Sequence, residues 1–165
     1  MMPSANRQAL AGRAIRFTTR RRELEVVVAA SKLDRVNVGD STTSRRVIAA
    51  EDVLAFAALT GDAERIHVDE AYAATTPYRR RIVHGVLLLG QLANGLLLEE
   101  KVGSNLSLGY DRIRFIRPIF VGDPIVAHAT VIEKREEKAE IVVEEKIIDN
   151  EDKLALIAVH IYRFI

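Results

Sequence analysis

The sequence predicts an α+β fold in which an antiparallel sheet wraps one long central helix. Two features carry that prediction. From residue 104 onward the chain reads as strand after strand, divided only by charged or Gly/Pro-marked turns. Before them, residues 84–100 form a leucine-rich run that is apolar on almost every face, as in a helix buried all round rather than along one stripe. Length and composition agree with one ordinary globular domain: 165 residues, 48% hydrophobic and 28% charged.

Residues 1–22 carry six arginines (Arg7, Arg13, Arg16, Arg20, Arg21, Arg22) and no acid. This basic tail reads as a transit sequence, as a polyanion-binding arm or as a solvated extension, and it lacks the apolar segment of a secretory signal. Residues 23–37 form an arm, with 23–30 suited to a short strand, and the domain proper is expected over 38–165. Val38-Gly39-Asp40 is a turn, and residues 42–48 have the β-branched content of a strand. Residues 51–59 make a helix opened by Glu51 and Asp52, striped by Val53, Leu54, Phe56 and Ala57, and ended by Gly61. Residues 62–69 are irregular, and 70–74 make a short helix before Pro77. In the central helix Gly85, Gly90 and Gly95 each cost about 1 kcal/mol relative to alanine. Such a cost makes sense where something packs closely against the helix backbone. Four strands follow. The first, 108–117, puts Ile113 and Phe115 on one face and Arg112 and Arg114 on the other; 125–133, 139–149 and 153–164 complete the meander. Both faces of the last strand are largely apolar, which suits a strand covered on both sides or near a subunit contact.

Several function classes drop out. There is no cysteine, which removes disulfides, Cys-ligated zinc and thiol nucleophiles. The tail holds a quarter of the 24 basic residues, and the remaining 18 meet 23 acids, so the body is not a nucleic-acid-binding surface. The longest apolar run, residues 86–98, is broken by Gly90, Gln91, Asn94 and Gly95 and falls short of the ~20 residues a bilayer requires. The expectation is a cytoplasmic protein with no membrane or nucleic-acid partner, or a mitochondrial-matrix one if the tail is a transit sequence.

The residues able to carry chemistry sit in two neighbouring stretches, 59–69 and 81–85. Asp62 and His67, five residues apart in a turn, can converge on one water molecule, one taking a proton while the other gives one. Gly85 opens the central helix, where unpaired backbone N–H groups and the positive end of the dipole can stabilise charge developing on a carbonyl oxygen. Each has a plainer reading: Asp62 as a turn or capping residue, His67 as a structural histidine. His128 and His160 lie inside strands with no acidic partner in register and read as structural. Arg79, Arg80 and Arg81 read as a solvated loop or as an anion-recognition patch.

Taken together, Phe56-Ala57-Ala58-Leu59-Thr60-Gly61-Asp62, then Ile66-His67 and Asp69, then Ala73-Ala74, then Ile82-Val83-His84-Gly85, resemble the MaoC-like, (R)-specific enoyl-CoA hydratase family. Phe115-Ile116-Arg117-Pro118-Ile119-Phe120-Val121-Gly122-Asp123 resembles its strand-and-turn signature. The resemblance runs from about residue 38 to the C-terminus. It implies a single hot-dog domain, usually a homodimer with its sheets joined edge to edge. It also implies acyl thioester substrates carried by coenzyme A or acyl carrier protein, and no metal or redox cofactor. By that resemblance Asp62 and His67 hold the water that adds across C2–C3 of a trans-2-enoyl thioester, and the Gly85 N–H binds the thioester carbonyl. Arg79, Arg80, Arg81, Arg112 and Arg114 are candidates for the coenzyme's phosphates.

One departure stands out. The family pattern Asp-x-Asn-Pro-aliphatic-His reads Asp62-Ala63-Glu64-Arg65-Ile66-His67 here. Glu64 loses an amide donor and adds charge near Asp62, for which Arg65 is a candidate compensation. Two other functions compete: an auxiliary, non-catalytic subunit of a heteromeric dehydratase, and a thioesterase. The second wants a carboxylate on the central helix, which offers only Glu99 and Glu100 at its far end.

Overall fold

The computed structural model describes residues 32–92 and 104–165. The basic tail, the strand expected in the arm, and the distal part of the central helix with Gly95, Glu99 and Glu100 lie outside the described residues. In chain order the elements are β1 (Ser41–Val47), α1 (Ala50–Thr60), α2 (Arg65–Val68), α3 (Glu70–Ala73), α4 (Gly85–Leu92), β2 (Asn105–Phe115), β3 (Pro124–Arg135), β4 (Glu140–Ile148) and β5 (Leu154–Phe164). The five strands form one antiparallel sheet in the order β1-β3-β4-β5-β2. Strands β3, β4 and β5 are consecutive neighbours as a meander requires, but β2, expected to lead that meander, pairs with β5 instead, and β1 takes the place beside β3; α4 lies against β3 and β4.

Local chemistry explains the helix boundaries. At the start of α1 the Asp52 carboxylate accepts the Ala49 N–H at 3.0 Å, which takes up an amide the helix would leave unpaired. At its end Gly61 adopts φ 81° and returns its N–H to Ala57 O at 2.9 Å, a left-handed cap that a side chain would strain. Val53 and Ala57 are buried, but Leu54, assigned to the apolar stripe by spacing, is 49% exposed. The segment expected to be irregular, 62–69, contains one helical turn, α2.

The central helix is covered on most sides rather than all. Leu88 and Leu92 are buried and Leu87 and Leu89 pack against the core, yet Val86 is 62% exposed. The close-approach argument for its glycines holds at Gly85, where an added Cβ would lie 2.9–3.2 Å from ring carbons of Phe115. It fails at Gly90, where no described atom comes within 4 Å of that position. No helix among the described residues is long and apolar enough to cross a membrane.

The main core joins Val53, Val83, Leu88 and Leu92 to Ile125, Ile147, Leu156 and Ala158 of the sheet. A second cluster seats Leu33 and Val36 of the arm on Val131, Ile141, Val143, Tyr162 and Phe164. Alternate residues of β5, from Leu156 to Phe164, are buried, which settles which of its two largely apolar faces is the inward one.

His160 needs a correction. Its direct cross-strand partners are Val143 and Tyr110, neither of them acidic. Glu145, however, lies diagonally on β4, and its carboxylate is 3.1 Å from His160 Nδ1. A diagonal neighbour on one sheet face is within reach of long side chains, and reading only the directly opposed pair missed it. His128 has no such partner; its Nδ1 lies 3.0 Å from Thr43 Oγ1.

Candidate active site

The left-handed turn at Gly61 ends α1 and turns Asp62 outward, where no other described residue donates a hydrogen bond to its carboxylate. One turn later α2 carries His67, whose N–H bonds Glu64 O at 2.9 Å. Residues 82–83 fasten this region to the β2–β3 connection: Ile82 bridges Phe120, and Val83 N–H bonds Ile119 O at 2.8 Å. The same segment delivers His84 and opens α4 at Gly85. Residues distant in sequence therefore meet because one short bridge holds them.

Asp62, His67 and His84 converge, each offering an atom within 4.8 Å of the others. His67 Nδ1 is 2.8 Å from the Ile82 carbonyl. A carbonyl only accepts, so Nδ1 carries the hydrogen and Nε2 of the neutral ring keeps a lone pair. His84 is buried and its Nε2 is 2.9 Å from Asp62 O, which fixes the opposite tautomer. The two rings stack, with centroids 3.9 Å apart, and Phe56 packs against His84 at 4.9 Å. Two imidazoles and a carboxylate form a donor set that zinc and its neighbours accept. The two rings are stacked with planes 29° apart, unlike imidazoles spread around one tetrahedral ion. A water molecule, which needs no shared coordination geometry, suits the pair Asp62 and His67 better.

His67 and Gly85 both line an open, largely apolar cleft of about 460 Å³, with Tyr78, Val86, Phe115 and Ile116 among its walls. Exposed Asp62 stands beside the cleft rather than in its lining. Among the described residues no backbone acceptor takes up the amide of Gly85, the first of α4. That leaves a donor at the positive end of a helix, facing a site with an imidazole lone pair.

The other sequence candidates divide. Arg80 pairs with Asp123 at 2.6 Å, a bond that raises its pKa, and Arg81 pairs with Glu70 at 2.8 Å. Arg79 donates to Ala74 O and Arg114 to Ile113 O, while Arg112 is exposed. None of these five lines the cleft; Arg117 does, and it sits in the signature segment that the sequence reading quoted without assigning it a role. Arg65 does not compensate Glu64. Its guanidinium bonds Asp69 at 2.8 Å and lies over the Tyr72 ring. The backbone N–H of Tyr72, and then Arg65, hold the Asp69 carboxyl below the usual carboxylate range. The i, i+4 spacing on α2 decides this pairing. His84 falls within the candidate stretch 81–85, where the sequence assigns it no role; its signal is the position directly before the helix-opening glycine.

Comparison with known proteins follows the same lines. A family model described as MaoC like domain matches residues 34–152. The chain is 39% identical over 103 residues to an (R)-specific enoyl-CoA hydratase of Aeromonas caviae, an overlap covering 62% of this chain and 76% of that protein. Against 3-hydroxyacyl-thioester dehydratase Z of Mycobacterium tuberculosis it is 32% identical over 108 residues, covering 64% of this chain and 69% of that one. The solved (R)-hydratase from A. caviae involved in PHA biosynthesis superposes with a TM-score of 0.74 at 32% identity, covering 79% of this chain and 98% of that chain. An unliganded R-hydratase from Pseudomonas aeruginosa gives 0.73 at 27% identity, covering 80% and 84%. The fold is the hot-dog fold, as the sequence led us to expect.

Proposed function

The chain belongs to the MaoC-like domain family, and from that premise we propose that it is a hydro-lyase acting on acyl thioesters. It adds water across the C2–C3 double bond of trans-2-enoyl thioesters, or removes it from (R)-3-hydroxyacyl thioesters. The observation that carries the assignment is the convergence of Asp62 and His67 beside the free amide of Gly85, at an apolar cleft. The relatives named above supply the substrate class.

The chemistry follows from those groups. A water held by the Asp62 carboxylate and the His67 Nε2 lone pair gives up a proton to the pair as its oxygen bonds C3. The displaced π electrons run toward the thioester carbonyl, whose growing negative charge meets the Gly85 N–H. A proton returned from the pair to C2 completes the addition. Acid–base groups so placed contribute roughly 10²- to 10⁴-fold, and a preorganised oxyanion donor adds further stabilisation. The apolar cleft takes the acyl chain. Arg79, Arg112 and Arg114, which have no acidic partner among the described residues, are the cations proposed for the carrier's phosphates.

The test is a panel of enoyl thioesters of increasing chain length, each followed by loss of its conjugated absorbance. We expect turnover of at least one. Release of free thiol without hydration would replace this reading with a thioesterase, and no turnover alone with recovery on adding a partner subunit would favour an auxiliary role.

We also place the chain in a homodimer joined at β2. The two free edges differ in the way that decides which one pairs. Among the described residues strand β1 is short and presents Arg45 and Arg46, whereas β2 runs 11 residues, keeps its charges (Asp111, Arg112, Arg114) in its second half, and exposes Leu106 and Leu108 in its charge-free first half. Charge protects an edge and apolar length invites a partner. Light scattering should give twice the chain mass, and a charge placed at Leu108 should halve it; a monomeric wild type would refute the assembly.

A further inference from the structure

Every group in the proposed mechanism touches one residue that the mechanism does not use. The imidazole of His84 is 2% exposed. Its Nε2–H is bonded to the backbone carbonyl of Asp62 at 2.9 Å. One face of the ring stacks on His67 and Phe56 packs against it as well. Its own carbonyl accepts the Leu88 N–H at 3.1 Å, in the first turn of α4, and the next peptide is the amide of Gly85. Its Nδ1 is buried and has no hydrogen-bond partner among the described residues.

That last fact sharpens the question. A buried polar atom without a partner costs stability, and a phenylalanine or leucine would fill this space without one. A histidine here is explained by what its other nitrogen does. We propose that His84 is a positioning residue: its Nε2–H clamps the Asp62 backbone so that the Asp62 carboxylate and the His67 ring stay in register with the Gly85 amide. The catalytic consequence rests on the hydratase reading; the clamp itself does not.

The physical need is specific. Asp62 lies in an exposed loop; among the described residues its own N–H reaches Thr60 Oγ1 at 3.3 Å, and none holds its side chain. A carboxylate on a free loop spends much of its time away from a water that His67 holds. Among the described residues the one long-range bond to this residue's backbone comes from His84, 22 positions on. A misplacement of about 1 Å is enough to cost ~10²-fold in rate, so a clamp on the backbone is worth a buried, half-satisfied ring.

Two substitutions separate the clamp from packing. His84→Phe keeps an aromatic ring and removes the donor; His84→Gln removes the ring and keeps an N–H at nearly the reach of Nε2. We expect kcat for hydration to fall roughly 10- to 100-fold in His84→Phe, with KM within about threefold because substrate contacts are unchanged. His84→Gln should recover most of the loss. Amide hydrogen exchange across residues 61–64 should speed up in His84→Phe and stay near wild type in His84→Gln. Equal impairment of both variants, matched changes in kcat and KM, or wild-type kcat in His84→Phe would each overturn the proposal. If His84→Phe does not fold, the glutamine variant decides: wild-type turnover supports the clamp, and lost turnover refutes it. If the wild-type chain hydrates nothing, the hydratase reading fails, and the exchange comparison still decides the clamp.

Discussion

Asp62→Asn and His67→Ala each lower kcat for enoyl-thioester hydration by roughly 10²- to 10⁴-fold, the range that a positioned acid or base contributes. The expectation is built on the geometry of the pair. The bond from His67 Nδ1 to Ile82 O leaves the lone pair on Nε2 of a ring that lines the cleft, and the Asp62 carboxylate lies within 4.8 Å of a nitrogen of that ring. Asparagine keeps the shape of Asp62 and loses its charge, so that variant isolates proton transfer from folding. Alanine at His67 removes one member of the acid–base pair and one ring of the stack, so its melting temperature must be compared alongside its rate. The two losses should not add. Groups that hold one water act as a unit, and the double variant should be little slower than the poorer single one. Steady-state rates on the best substrate of the panel decide the matter. Turnover within a factor of two of wild type in both variants would take these residues out of the mechanism, leaving the architecture intact.

Much of this arrangement was legible in the chain, and the reason is locality. The α1 cap at Gly61, the helix start at Gly85 and the meander of β3, β4 and β5 are each decided by neighbours in sequence. Asp62 and His67 are five residues apart, so their pairing is legible from local spacing even though a long-range bond from His84 also bears on Asp62. What escaped was set across the fold. The place of His84 depends on a carbonyl 22 residues earlier and a ring 17 residues earlier. Arg65 looked free to answer Glu64, yet a single helical turn put Asp69 in its path. Arg80 and Arg81 looked like a patch for anions until the fold brought Asp123 and Glu70 against them. Val86 stands on a leucine-rich helix and is exposed because it faces the cleft, a surface that no count of apolar residues separates from the core.

The same limit governs the polar cluster inside the sheet, where the largest loss of stability is expected. Glu145 is 1% exposed and His160 fully buried. The carboxylate accepts from Tyr162 Oη at 2.8 Å and lies 3.1 Å from His160 Nδ1, while Ser107 Oγ is 2.6 Å from His160 Nε2. Tyr110 stacks on the other side of the imidazole at 3.9 Å. Burial, and then the Glu145 charge, push the phenols of Tyr110 and Tyr162 above the usual range, so both stay neutral and Tyr162 donates. Glu145→Ala strips the acceptor from a buried phenol and a buried imidazole at once. Breaking a buried pair by removing one partner costs about 3–5 kcal/mol, against a total stability of roughly 5–15 kcal/mol for a domain. Glu145→Gln keeps an oxygen for the Tyr162 hydroxyl and should cost less than half as much. Replacing the set together, as Glu145→Leu with His160→Leu and Tyr162→Phe, removes the three buried polar side chains, leaves the Ser107 hydroxyl to solvent on its exposed residue, and should recover most of the deficit, because apolar substitutes of similar volume carry no desolvation penalty. Urea unfolding of the three proteins measures each term. If Glu145→Ala costs under 1 kcal/mol, water reaches the cluster and the pairing is incidental; if the apolar triple stays as unstable as the single variant, shape rather than hydrogen bonding is what the sheet requires at this point.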